Sequence, residues 1–200
     1  MHTRTRIALA TLLSLGSTWA AAQSSVTLYG LIDANAGRFK GAPAGVNAQD
    51  VATWRAEAGG MSTSRIGLQG TEDLGGGISA SFDISAFLRN DTGASGRNDA
   101  IGAPIDVAAD PFWSRASWVG IGSASLGRVR LGNVTTLLFV NAITSNAFGD
   151  STVFGPLNLV TFIGSPLTGG TAWTNSVVYD SPVLGGFSAS VARTASENQG

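Results

Sequence analysis

The chain has 200 residues, with 27 glycines, 44% hydrophobic residues, 12% charged residues and no cysteine. Its lone histidine is His2, so Ser-His triads, thiol nucleophiles and His-ligated transition metals are excluded beyond the first residues. A net charge of −1 with no basic run leaves no electrostatic footprint for nucleic acid, and an exported form must hold its fold without disulfides.

Arg4 and Arg6 precede an apolar run at 7–19 and then Ala20-Ala21-Ala22. This is the tripartite form of a secretory signal peptide, 1–22, cleaved after Ala22. The run is too short to span a bilayer. No later stretch reaches the roughly 18 uninterrupted apolar residues of a membrane helix. Loss of the two arginines leaves ten basic residues against 13 acidic ones, a mature net charge of −3.

From residue 26 the hydrophobic period is two. Over 26–37, Val26, Leu28, Ile32, Ala34 and Ala36 alternate with Thr27, Tyr29, Asp33 and Asn35, which predicts a strand. Residues 38–63 read as a long loop with a short extended arm at 51–58. A hairpin follows: Ile66 and Leu68 alternate with Arg65, Gly67 and Gln69, and a glycine-rich turn falls at 72–77. Ile78, Ala80, Phe82 and Ile84 then alternate with Ser79, Ser81, Asp83 and Ser85. A polar loop runs over 90–111. Segments 113–122 and 126–132 make a second hairpin around 123–125, with Val129 and Leu131 opposite Arg128 and Arg130. Segment 134–171 alternates poorly and holds Gly149, Gly155, Pro156 and Pro166, as a folded-in or capping loop would. A third hairpin, 175–179 with 187–193, turns at 181–185.

About seven strands result, joined alternately by tight turns and by loops of some twenty to forty residues. Soluble sandwiches space their turns more evenly. Short connections at one end and long ones at the other are the layout of an all-β transmembrane antiparallel barrel.

Four blocks carry a resemblance: QSSVTLYGLID at 23–33, SRIGLQGTEDLGGG at 64–77, SWVGIGSASLGRVRLG at 117–132 and NSVVYDSPVLGGFSAS at 175–190. In this order and spacing the chain resembles the general porins of Gram-negative bacteria, of the neisserial and beta-proteobacterial trimeric type. The resemblance implies a sixteen-strand barrel assembled as a homotrimer in outer-membrane lipid. Small hydrophilic solutes and ions would diffuse passively through its water-filled lumen, with no cofactor, no metal and no catalytic residue. It implies that 134–171 folds inward and narrows the pore, and that 23–200 is the N-terminal part of the barrel domain. A substrate-specific channel and a truncated, non-functional remnant are the alternatives.

By strand parity Arg65, Arg128 and Arg130 face the lumen, because Arg on the lipid side at mid-depth costs about 2–4 kcal/mol. Asp33 and Asp83 share the polar faces of their strands, and Asp150 on the inward loop is the expected acidic partner. Opposed basic and acidic walls would order dipolar solutes and select ions. Tyr29, Trp118 and Tyr179 are expected in an interfacial belt or at a subunit contact. Glu72 and Asp73 solvate a turn and are too few oxygens for calcium. Gln69, Asn133, Ala172 and Val178 stand where the family often has basic residues, which points to a weakly selective or cation-leaning pore.

Overall fold

Alternation with a period of two builds one long antiparallel wall. The computed structural model describes residues 24–39, 52–96, 111–151, 154–155 and 171–195. The expected signal segment and much of 134–171 therefore lie outside the described residues. The strands are β1 (Ser25–Leu31), β2 (Ala34–Phe39), β3 (Thr53–Ala58), β4 (Arg65–Gly75), β5 (Ile78–Arg89), β6 (Ala94–Ser95), β7 (Ala116–Ser123), β8 (Gly127–Thr135), β9 (Ala172–Asp180) and β10 (Ser190–Thr194). Among the described residues a helix, α1 (Leu137–Ser145), follows β8.

The main sheet runs β1-β4-β5-β7-β8-β9-β10, with β6 pairing β5 off the path. Every pairing in it is antiparallel. Among the described residues the sheet is open, with β1 and β10 at its edges. No described helix is long and apolar enough to cross a membrane.

Register fixes what each face carries. Val26, Gly70, Phe82, Val119 and Leu131 stand in one row across five strands, and Leu28, Leu68 and Ile84 in the next row of that face. Side chains on this face are left open: Val26 is 66% exposed, Leu28 67%, Val119 60% and Val191 67%. Exposed apolar surface of this extent is unstable against water at about 25 cal/mol per Å² and is the natural state against hydrocarbon. The opposite face carries Thr27, Gln69, Asp83 and Trp118 in one row and Ser25, Thr71, Ser81, Gly120 and Arg130 in the next.

Several elements differ from the expectations: β4 runs on to Gly75, so the first turn is Gly76-Gly77 rather than 72–77, and β6 falls inside the loop expected over 90–111. The strand expected over 26–37 breaks at Ile32–Asp33, and its second half pairs with β3 as a separate two-stranded hairpin. The 38–63 loop is therefore in part this hairpin. Segment 134–171 opens with the last residues of β8 and then α1, whose N-cap Thr136 side chain accepts from the Phe139 amide at 3.3 Å. The third turn is longer than expected. Residues 181–189 join β9 to β10, closed by a bridge between Leu184 and Phe187.

Candidate functional site

The polar face is organised by charge pairs rather than by isolated charges. Tyr29 on β1 reaches across β4 and donates to Asp83 Oδ1 at 2.7 Å. Arg115 donates to the Tyr29 hydroxyl at 3.3 Å and to Ser85 Oγ at 3.2 Å, so one network ties β1, β5 and the start of β7. The crossing works because Gly67 lies beneath it. A Cβ there would meet the Tyr29 ring and Ser85 Cβ at 2.7 Å.

A second cluster sits toward the tight turns. Arg130 grips Asp180 through two hydrogen bonds, Nε to Oδ2 at 2.9 Å and Nη2 to Oδ1 at 3.1 Å. Arg128 touches the same carboxylate at 3.4 Å, and Ser190 Oγ donates to it at 2.8 Å. Both guanidinium groups lie over the Trp118 ring, 5.5 and 5.4 Å from its centroid, within cation–π range.

The third cluster joins wall to loop. Arg65 Nη1 lies 3.7 Å from Asp150 Oδ2, and Ser62 Oγ donates to Asp150 Oδ1. The buried Ser151 hydroxyl donates to the Gly60 carbonyl at 2.9 Å. The segment after α1 is thus fastened to the bend that leads into β4. Asp33 serves the same bend. Its carboxylate accepts the amides of Gly60, Met61 and Ser62 at 3.1, 2.9 and 2.8 Å.

The charged side chains singled out in the sequence therefore fall into separate places. Arg128 and Arg130 share one cluster, Arg65 and Asp150 another, and Asp83 the Tyr29 network. Asp33 lies at the break between β1 and β2, engaged by backbone. Trp118 and Tyr29 sit on the charged face rather than in an outward belt, because their pairing partners are Asp83 and Gly67. Tyr179 is the one of the three aromatics on the apolar face, paired with Val129, its hydroxyl donating to the Leu126 carbonyl at 2.9 Å. Asn133 pairs with Ser117, in step with the apolar side, at a β8–β9 register shift. It is not in line with the arginines of β8.

Sequence reasoning missed Arg115 and Asp180. Parity carried back from Ser117 sets Arg115 on the apolar side, but the chain bends at Arg115 before β7 begins, and the side chain turns to Ser85. Asp180 was legible in principle, since it is an acid beside a predicted turn whose pairing partner is Arg128. No group of three metal-ligating side chains occurs among the described residues.

A single antiparallel wall with an exposed apolar side and a side of paired charges belongs to a transmembrane β-barrel around a polar lumen. The chain belongs to the Gram-negative porin family, which matches it over residues 8–200. It is 35% identical over 198 residues to the outer membrane porin protein 32 of Delftia acidovorans, covering 96% of this chain and 50% of that protein. Against the major outer membrane protein P.IB of Neisseria lactamica it is 28% identical over 191 residues, 94% of this chain and 50% of that protein. Its fold is similar to the anion-selective porin from Comamonas acidovorans, with a TM-score of 0.66 at 28% identity, over 88% of this chain and 48% of that one. The chain spans about half the length of these relatives.

Proposed function

We propose that this chain supplies part of the wall of a homotrimeric outer-membrane channel, exported by the segment 1–22. Small hydrophilic solutes and ions would cross it by passive diffusion. The observation that carries the proposal is the division of the main sheet into an exposed apolar face and a face bearing Arg65, Arg128, Arg130, Asp83 and Asp180, which Arg115 and the loop residue Asp150 join through contacts with it. Diffusion needs no nucleophile. It needs a wet constriction and a water-tight outer belt, and these residue types supply both. Segment 134–171 is the constriction element, fastened through Asp150 and Ser151 to the wall.

The test is reconstitution of the intact outer-membrane protein into planar bilayers, with heat-modifiable migration of the detergent extract beside it. Stepwise, ohmic conductance and a heat-sensitive trimer band are expected. A protein that folds and inserts but passes no current would refute the channel.

A further inference from the structure

We propose that the hollow lined by Trp118 and Arg128 on the charged face binds a hydroxylated carboxylic acid of monosaccharide size, a hexuronic acid being the representative, an assignment that rests on the channel reading above. The hollow has a volume of about 300 Å³, at the small end of ligand pockets. Trp118, Arg128, Gln69, Asp83, Thr71 and Ser81 are among the residues that line it.

Each group leaves a valence for a ligand. Arg130 commits two donors to Asp180, but Arg128, which also lies over the Trp118 ring, makes only one long hydrogen bond of 3.4 Å to that carboxylate and keeps 45% of its side chain exposed. A guanidinium in this state is a carboxylate receptor with donors to spare. Asp83 is engaged by Tyr29 on Oδ1 alone, so its second oxygen asks for a hydrogen-bond donor. The threonine and serine hydroxyls donate or accept, and the indole, over which both guanidinium groups lie, adds apolar surface to the lining.

These demands choose among anions. A simple aromatic acid would stack on Trp118 but leave Asp83 and the hydroxyls without partners, and unmet polar groups cost affinity. A dicarboxylate would bring a second negative charge against Asp83. A ring or chain bearing one carboxylate and several hydroxyls satisfies both ends: the carboxylate on Arg128, its C–H groups against the indole surface that lines the hollow, its hydroxyls on Asp83, Gln69, Thr71 and Ser81. The result is a shallow stop along the lumen, weak enough to release its occupant.

The experiment titrates D-glucuronate into the intact protein folded in detergent micelles, read by tryptophan fluorescence and calorimetry, with D-glucose and acetate as comparison ligands. Saturable binding of glucuronate is expected, with each comparison ligand about tenfold weaker, the scale of one lost charge-assisted contact. Arg128→Gln should erase the preference for glucuronate over glucose, and Trp118→Ala should weaken both, in protein that keeps its heat-modifiable migration. Should Trp118→Ala not fold, the three-ligand ranking on the unaltered protein decides by itself. Non-saturable binding, equal affinity for acetate, or an unchanged preference in Arg128→Gln would overturn the site. Bilayer recordings separate the two layers of inference. Conductance without glucuronate binding sinks the site and leaves the channel; binding without conductance supports the site and sinks the channel.

Discussion

Tyr29 can span β4 only because residue 67 has no side chain. Its ring lies where a Gly67 Cβ would stand, at 2.7 Å, and its hydroxyl arrives at Asp83 two strands away. Gly67→Ala is therefore an overpacking change against a ring and the fixed Cβ of Ser85. We predict a loss of about 1–3 kcal/mol, read as a lower urea midpoint of the folded protein, together with displacement of Tyr29. Tyr29→Phe keeps the ring and deletes the hydrogen bonds to Asp83 and Arg115. Its expected cost is smaller, about 1 kcal/mol. If Gly67→Ala proved no worse than Tyr29→Phe, the close approach would not be what holds the network. The alternation made this polar face legible, since Gly67 and Asp83 both fall opposite the apolar set. The aromatic's position was not legible, because either face of a barrel can hold a tyrosine and only the pairing of Tyr29 with Gly67 decides it.

At the scale of elements, the bend before β4 is where hairpin, wall and loop meet. Asp33 ends β1 and gathers three successive amides, while the buried Ser64 hydroxyl lies 2.9 Å from the Asp33 amide and 2.8 Å from Asn90 Oδ1. Removing the carboxylate in Asp33→Ala strands the part-buried amides of Gly60 and Ser62, at about 1–3 kcal/mol for each group that water does not reach, while the exposed Met61 amide turns to solvent. We predict faster hydrogen exchange at Gly60, Met61 and Ser62, and noisier open-channel current, because Ser62 and Gly60 are the docking points of Asp150 and Ser151. Unchanged exchange at those amides would show that the bend holds without Asp33. The sequence placed Asp33 by parity on a strand that continues past it. What parity missed is that Asp33 can cap a bend with its own carboxylate, which lets the chain leave the main sheet for the β2–β3 hairpin. α1 was hidden for a different reason. Its nine residues LLFVNAITS are rich in β-branched types and none is buried, so neither helix propensity nor an apolar stripe marks it. The one local signal is Thr136 at its N-cap.

For the wall taken as a whole, the charges described on the proposed lumen side nearly cancel. Arg65, Arg128 and Arg130 face the carboxylates of Asp150 and Asp180 within 4 Å, and Arg115 answers Asp83 through Tyr29. Gln69, beside Asp83, and Val178, beside Arg130, add no charge. Selectivity depends on the field left after pairing, and a pair 4 Å apart interacts by about 1 kcal/mol in water and about 4 kcal/mol at a protein surface. The described half-wall is therefore expected to discriminate weakly, in contrast to a neighbour of similar fold whose description is anion-selective. Asp150→Asn tests this directly. Asparagine keeps an oxygen for the Ser62 hydroxyl, so the loop stays docked, but it uncovers the charge of Arg65 where that loop meets the wall. Reversal potentials in a KCl gradient should lie near zero for the unaltered protein and move toward chloride in Asp150→Asn, most clearly below about 0.1 M salt, where the screening length exceeds about 10 Å. A strong chloride preference before the substitution, or no movement after it, would mean that the charges which govern permeation lie outside this half of the wall.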